Sequence, residues 1–170
     1  MSRSYRPIDV SELWEKYSLN PLTGELYYRR PTPGRTVGAS AGRCRSDGYW
    51  NVGTEGYLRH RLVHAWVAGV DPAEHYVDHV NCVPGDDRPW NLRLATLGQS
   101  SRNTRSVGVE RRRGKFQARI CVDYRRKTIG TFDTYEEAAA AYAKAAQELH
   151  GEFACTVGVG LPLADSTVNL

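Results

Sequence analysis

The last third of the chain carries the pattern that most restricts the fold, because it combines three short strand-like segments with one amphipathic helix. The segments that favour strands are residues 106–110, 116–122 and 127–132. The middle segment alternates apolar with polar residues, which is typical of a strand with one buried face. Thr134 and Glu137 predict a capping box at the start of a helix, and Gly151 predicts its end. We therefore expect an antiparallel three-stranded sheet packed on one helix.

Short elements are also predicted in the first hundred residues, so the fold class is expected to be α+β. Strands are predicted at residues 25–29, 48–53 and 57–60. A short helix is predicted over residues 61–68, because its apolar residues recur on one face and Gly69 follows it. The helix in the last third is expected to bury Ala138, Tyr142, Ala145, Ala146 and Leu149.

Charge is distributed unevenly along the chain, although the formal net charge is only +4. Residues 104–130 hold nine Lys and Arg against two acidic residues, which gives +7. Residues 131–170 give −5, with one Lys against six acids, and residues 1–103 give +2, with 13 basic against 11 acidic residues. A basic block of this kind either contacts a polyanion or forms a solvated face. Both alternatives stay open on charge alone.

Composition excludes several classes of protein. Of the 170 residues, 41% are hydrophobic, which is too large a fraction for a disordered chain. No run of about 18 apolar residues occurs, so we expect no membrane-spanning helix. The first residues lack the apolar core of a secretory signal. These features predict a cytoplasmic protein.

Residues 76–104 predict a strand, a loop, a second strand and a helix in quick succession. The first strand places Asp78 and His79 on opposite faces. A carboxylate is a hard oxygen ligand suited to Mg²⁺ or Mn²⁺, and an imidazole can accept a proton from water. An Asp-His pair is common in proteins, so a dipeptide without any chemical role is the alternative.

The same segment resembles the HNH endonuclease family. The resemblance rests on Val77-Asp-His-Val-Asn81 and on the stretches 86–96 and 99–103. It implies a ββα fold around one metal ion, Mg²⁺ or Mn²⁺. Residues 60–66 are similar to the segment that leads into the motif in phage and intron-encoded members. His60 in that segment is expected to be a packed, hydrogen-bonded histidine, yet it is the best candidate of the other histidines to touch the site.

The resemblance also implies roles for individual residues. His79 corresponds to the general base, and Asp78 corresponds to a metal ligand. Asn91 corresponds to the middle asparagine, whose amide holds the loop and so orients the strand that carries the histidine. Many relatives place a second ligand, an asparagine, where this chain has Ser100. Ser100 and Asn103 are therefore both candidates for the second ligand.

Residues 104–154 resemble the AP2/ERF DNA-binding domain. The matching stretches are residues 107–120, 127–139 and 141–146, and the core lies at 130–138. The resemblance implies a three-stranded sheet whose polar face enters the major groove of DNA. The candidate DNA contacts are Arg111, Arg113, Lys115, Arg119, Arg125, Arg126 and Lys127.

The polar face of that sheet is expected to carry Arg111, Arg119 and Arg126, with other cations near the turns. Glu110 stands where an arginine is frequent in the family, and Thr128 stands where a tryptophan is frequent. DNA binding is therefore implied, whereas the target sequence does not carry over from the family.

Four segments follow from these patterns. Residues 1–47 form an N-terminal strand and loop segment, and residues 48–104 form a nuclease module with a ββα-metal core at 76–104. Residues 105–155 form the AP2-like domain of three antiparallel strands and one helix, and residues 156–170 form a tail. Together they predict two very small modules joined by a short connection.

The predicted function is a Mg²⁺-dependent, site-selective endonuclease of double-stranded DNA. It is expected to be of the homing type, to nick one strand per active site and to use no small-molecule substrate. A phage or mobile element is expected to encode it, and it acts in the host cell as a monomer or homodimer. The alternative is a sequence-specific DNA-binding protein, such as a repressor, with an inactive HNH module. Ser100 is the feature that supports that alternative.

Overall fold

The computed structural model describes residues 6–102, 108–122 and 125–155. The chain divides into two compact units, Met1–Ser100 and Ser101–Leu170. Asn103 and the predicted tail at 156–170 lie outside the described residues. Within the described ranges, none of the helices has the length and apolar character needed to cross a lipid bilayer.

The first unit is built from short elements. In chain order they are α1 Val10–Lys16, β1 Tyr17–Asn20, β2 Glu25–Tyr28, β3 Ser40–Ala41, β4 Arg43–Cys44, β5 Trp50–Val52, β6 Tyr57–Leu58, α2 Arg59–Ala68, β7 Tyr76–His79, β8 Leu92–Ala95 and α3 Leu97–Arg102. Strands β1, β2 and β3 form one sheet, β4, β5 and β6 form a second, and β7 and β8 form a two-stranded hairpin. All of these pairings are antiparallel.

Local sequence explains where the helices begin and end. Asp9 caps α1, because its carboxylate accepts a hydrogen bond from the backbone N–H of Glu12 at 3.0 Å. Gly69 ends α2 in the left-handed conformation, with φ at +68°. Arg59 and His60 begin α2 and do not extend the preceding strand as predicted, since β6 stops at Leu58.

The core of the first unit joins the N-terminal elements to α2. Its buried members are Ile8, Leu13, Tyr17, Leu26, Ala41, Val52, Leu62, Val63 and Ala65. Removing these side chains from water supplies the main stabilisation of a unit of this size. The N-terminal strands are therefore part of the same core as the helix that precedes the Asp-His strand.

The second unit confirms the predicted sheet and helix. Its elements are β9 Val109–Arg112, β10 Lys115–Val122, β11 Arg125–Phe132 and α4 Tyr135–His150. The sheet is antiparallel with β10 in the centre. Arg113 and Gly114 form the turn between β9 and β10, and both have positive φ, +50° and +82°. Two such residues are typical of the tight turns that join hairpin strands.

Helix α4 packs on the sheet through small side chains. The capping box is present, because the Thr134 side chain accepts from the N–H of Glu137 and the Glu137 side chain accepts from the N–H of Thr134. The buried residues of α4 are Ala138, Ala139, Ala143 and Ala146. The prediction was wrong for Leu149, which is 48% exposed in the last turn of α4.

A β-bulge determines which cations of β11 face away from α4. Ala118 pairs with Gly130, whereas the next residue, Arg119, pairs with Thr128. Ile129 is therefore an extra residue, and the alternation of β11 changes phase there. Arg126 consequently shares a face with Cys121, while Lys127 shares a face with buried Ile120. The face that points away from α4, which carries Arg119 and Arg126, is called the outer face below.

The expected position of Arg111 on the outer face was wrong. Arg111 pairs with Phe116 in β10, and directly opposed residues of a ladder lie on the same side of the sheet. Its guanidinium carbon lies 6.0 Å from the centre of the Phe116 ring. Val109, two residues earlier, packs against buried alanines of α4. Arg112 therefore occupies the outer-face position on β9.

Candidate active site

The β7–β8 hairpin places Asp78 and His79 on opposite faces of one strand. Asp78 pairs with Arg93 and His79 pairs with Leu92 across the hairpin. Both are poorly exposed, at 9% for Asp78 and 4% for His79. Adjacent strand residues project to opposite sides, so each side chain enters a different environment.

His79 contacts a buried carboxylate. Its Nε2 atom lies 2.7 Å from Oδ1 of Asp87, and the Arg59 Nε donates to Oδ2 of the same carboxylate at 2.7 Å. Asp87 is only 1% exposed. Burial raises the pKa of Asp87, but the hydrogen bonds from His79 and Arg59 outweigh it and hold that pKa below its ordinary value. Asp87 is therefore an ionised carboxylate with both oxygens engaged.

Arg59 is held in place on three sides. Besides Asp87, its Nη2 donates to the backbone oxygen of Gly85 at 3.1 Å. Its guanidinium carbon lies 4.4 Å from the centre of the Trp50 ring, a distance at which the cation is attracted by the ring face. Neither Arg59 nor Asp87 was predicted from the sequence as a residue of the site. No local sequence pattern indicates this pair, because the two residues are 28 positions apart.

His60 lies beside His79, as its position before the motif had suggested. The two ring centres are 5.0 Å apart, and the Tyr49 ring lies 5.4 Å from His60 and 5.8 Å from His79. Burial, together with neighbouring His79, lowers the pKa of His60 to about 3. His60 is consequently a neutral imidazole at physiological pH.

His60, His79 and Asp87 form a group of metal-ligating atoms. One ligand atom from each lies within 4.8 Å of the others, and all three residues are buried. Imidazole nitrogens favour transition metals over Mg²⁺. Both oxygens of Asp87 already accept hydrogen bonds, one of them from the Arg59 cation. The group could hold a metal ion, at the expense of these contacts.

Asn91 ties the loop between the two strands together. Its Nδ2 donates to the backbone oxygen of Asp86 at 2.7 Å and to Oδ1 of Asn81 at 2.9 Å. Its Oδ1 accepts from the N–H of Asn81 at 3.0 Å, and its backbone oxygen accepts from Val80 at 2.8 Å. These contacts are the ones that a loop-holding residue requires, while its role in catalysis stays a prediction.

Asp78, on the other face of β7, contacts a cation of the partner strand. The Nε and Nη2 atoms of Arg93 lie 3.3 and 3.2 Å from Oδ2 of Asp78. Ser100 lies half-buried on α3, where its N–H donates to the backbone oxygen of Thr96. A carboxylate and a hydroxyl supply the oxygen donors that Mg²⁺ and Mn²⁺ prefer, so Asp78 and Ser100 fit such an ion in kind.

The candidate DNA-contacting cations of the second unit are exposed, except for Arg119, whose side chain is 32% exposed. Lys115 forms an ion pair with Asp133 at 2.8 Å, and Arg119 forms one with Glu110 at 3.3 Å. An open groove is lined by Arg112, Arg113, Lys115, Gln117 and Thr131. Arg112 was not among the predicted contacts, although its neighbours Arg111 and Arg113 were.

Comparison with known proteins agrees with the geometry of the first unit. Residues 57–102 match the HNH endonuclease family. An uncharacterized HNH endonuclease, L560, of Acanthamoeba polyphaga mimivirus is 31% identical over 120 residues. The match covers 62% of this chain and 64% of that protein, so the chain spans less than two thirds of its relative. No solved structure matches. Residues 57–102 are thus similar to an HNH endonuclease domain, and the viral relative carries the name of an HNH endonuclease.

Proposed function

We propose that the chain is a Mg²⁺-dependent, site-selective endonuclease of double-stranded DNA that nicks one strand per active site. The observation that carries the proposal is the position of Asp78 and His79 within the HNH match, on opposite faces of one buried strand. A carboxylate that can bind a metal ion and an imidazole that can accept a proton are thereby placed next to each other in the chain, on opposite faces of one strand. The homing type, with a phage or mobile element as its source and the host cytoplasm as its place of action, belongs to the same proposal.

In the proposed reaction, a ring nitrogen of His79 accepts a proton from water. The water oxygen forms a bond to phosphorus, and the bond from phosphorus to the leaving sugar oxygen breaks. Asn91 keeps the loop and hence the His79 strand in place. Mg²⁺ or Mn²⁺, when bound by Asp78 with Ser100 or Asn103, supplies positive charge for the phosphate.

We assign DNA binding to an AP2/ERF-like domain at residues 105–155. Its outer face carries Arg119 and Arg126, and Lys115 is the first residue of β10, beside the β9–β10 turn. Cations on such a face can contact phosphates and base edges of duplex DNA. Because binding releases counterions, affinity falls with a log–log slope of about −0.9 for each phosphate contacted.

The proposal is tested with supercoiled plasmids that carry fragments of the genome in which the gene is found. With Mg²⁺, the wild-type protein is expected to convert supercoiled plasmid to open circles. His79→Ala and Asp78→Ala are expected to abolish nicking, and EDTA is expected to abolish it in the wild type. Asp9→Asn serves as a matched control, since asparagine also caps helices well and Asp9 is exposed at the start of α1. Nicking by His79→Ala at the wild-type rate overturns the assignment.

A DNA-binding protein with an inactive nuclease module is the competing function. Both sequence matches name endonucleases, which does not favour it. Binding of the same plasmids with no nicking in Mg²⁺ or Mn²⁺ would replace the proposed activity with this one. Size measurement of the DNA complex decides between a monomer and a homodimer.

A further inference from the structure

We propose that Asp87 is a positioning residue that fixes the tautomer of His79, with the proton on Nε2 and the lone pair on Nδ1. The inference deepens the proposed endonuclease activity and rests on it. It assigns the proton-accepting atom of the general base. It also gives a role to Arg59 and to the N-terminal hairpin, which is formed by β1 and β2.

The first step is the contact between His79 and Asp87. The two side chains are 4% and 1% exposed, and the distance from Nε2 to Oδ1 is 2.7 Å. An ionised carboxylate can only accept hydrogen bonds, so Nε2 must donate. A neutral imidazole carries a single N–H. In the neutral form of the ring, Nδ1 therefore holds the lone pair that a base needs.

The second step is that Asp87 cannot change its orientation. Oδ2 accepts from the Nε of Arg59 at 2.7 Å, and a guanidinium can only donate. Arg59 is itself fixed by the Gly85 oxygen and the Trp50 ring. One oxygen of Asp87 is thus committed to Arg59, and the other is left for His79.

The third step is that the backbone of Asp87 is fixed by the turn between β1 and β2. Gly24 has φ at +72°, and a Cβ atom there would lie 2.2 Å from the carbonyl carbon of Asp87 and 2.5 Å from the nitrogen of Arg88. Only glycine permits so close an approach of two backbones. The N-terminal hairpin therefore packs directly against the residue that orients His79.

These constraints predict what an asparagine at position 87 does. Arg59 must still donate, so Oδ1 of the asparagine turns to Arg59 and its Nδ2 turns to His79. Nδ2 can only donate, which makes Nε2 of His79 an acceptor and moves the ring proton to Nδ1. The substitution keeps the shape of the site and inverts the tautomer of His79.

The tautomer is measured first, because it requires no activity. Full-length protein with ¹⁵N-labelled histidine is studied without metal at mildly alkaline pH, where imidazoles are neutral. His79→Gln assigns the His79 signals by their loss. We expect an N–H signal from Nε2 in the wild type and from Nδ1 in Asp87→Asn. A wild-type ring with its proton on Nδ1 overturns the proposal, and so does a folded Asp87→Asn protein with the wild-type tautomer.

Nicking kinetics supply the second readout. General-base catalysis contributes about 10²–10⁴-fold, so Asp87→Asn is expected to lower kcat by about 100-fold or more. KM for plasmid is expected to change by less than about twofold, since the DNA contacts are untouched. The control Asp9→Asn is expected to keep both constants. An unchanged kcat in folded Asp87→Asn contradicts the positioning role.

A double variant distinguishes positioning from a general loss of structure. The double variant Arg59→Met/Asp87→Asn has no guanidinium to donate a hydrogen bond to the amide oxygen. The asparagine can therefore turn its Oδ1 towards His79. We expect the Nε2–H tautomer to return and kcat to rise above that of Asp87→Asn. A folded double variant that keeps the Nδ1–H tautomer and the kcat of Asp87→Asn counts against the proposal. If the wild type nicks nothing, the proposed function fails, and the wild-type tautomer still decides whether Asp87 orients His79.

Discussion

The two units of the chain use charge in opposite ways. In the first unit the Arg59–Asp87 pair is 3% and 1% exposed, and Asp87 also contacts the buried His79. In the second unit the Lys115–Asp133 pair is 57% and 78% exposed. A buried ion is costly unless it is paired and hydrogen-bonded, whereas an exposed ion is solvated and exchanges partners easily.

The difference separates positioning from binding. Charges that are shielded from water have fixed partners, so they can hold a ring or a loop in one orientation. Charges on the outer face remain available for a polyanion, and salt weakens their contacts. Four substitutions or titrations test this division, starting with the largest expected effect.

Arg59→Met is expected to lower the free energy of unfolding by about 3–5 kcal/mol, because it leaves the Asp87 carboxylate buried without its cation. Urea unfolding followed by fluorescence measures the change. Lys16→Met is the matched control, since Lys16 pairs with Glu12 at 2.6 Å but the two side chains are 48% and 58% exposed. It is expected to cost less than about 1 kcal/mol. Equal losses in the two variants would contradict the distinction between buried and exposed ion pairs.

The pH dependence of stability tests whether the buried His60 is neutral in the folded protein. The pKa of His60 is about 3 in the folded protein, below about 6.5 in an unfolded chain. Between these values only the unfolded state binds the proton, so stability is complete above about pH 6.5 and falls as the pH decreases towards 3. The expected loss is up to about 1.4 kcal/mol for each pH unit.

Urea unfolding of EDTA-treated protein between neutral and mildly acidic pH checks this slope. His60→Gln should reduce it, because glutamine binds no proton. Asp87 adds little in that range, since its lowered pKa matters only below the ordinary range of a carboxyl group. A slope that is the same in His60→Gln and wild type would show that His60 is not buried in neutral form.

Gly24→Ala tests whether the N-terminal hairpin packs against the Asp87 loop. Alanine in the left-handed conformation costs about 1–2 kcal/mol by itself, and its Cβ would also overlap the Asp87 backbone. Gly34→Ala is the matched control, with φ at +74° and no atom within 4 Å of the added Cβ. Thermal unfolding should show a clearly larger decrease in the unfolding temperature for Gly24→Ala than for Gly34→Ala. Equal losses would mean that the close approach does not constrain the loop.

Arg126→Gln and Lys127→Gln test the outer face with two adjacent residues. The bulge places Arg126 on the outer face and Lys127 on the side of Ile120. Fluorescence anisotropy with labelled duplex DNA, at salt concentrations from about 50 to 200 mM, gives the slope of log affinity against log salt. Arg126→Gln is expected to reduce the slope by about one contact and Lys127→Gln by less. A larger effect of Lys127→Gln would assign DNA binding to the other face.

Local signals made part of this molecule predictable. The capping box at Thr134 depends on residues three positions apart, and the opposite orientations of Asp78 and His79 follow from strand geometry. The pair of Arg59 and Asp87 was not predictable in this way, because it forms only when α2 meets the loop after β7. The bulge at Ile129 leaves no recognisable pattern in the sequence, yet it changes which residues of β11 lie on each face of the sheet.

The shared core of the first unit has a practical consequence for protein engineering. Of its nine buried members described here, six precede residue 57, where the family match begins, and three follow it. A fusion protein cut at the match boundaries would leave α2 without most of its packing partners, and would lose the Trp50 ring that faces Arg59. A transplanted module therefore has to include the core from Ile8 onwards and the rest of the unit up to Ser100, roughly twice the length of the matched segment.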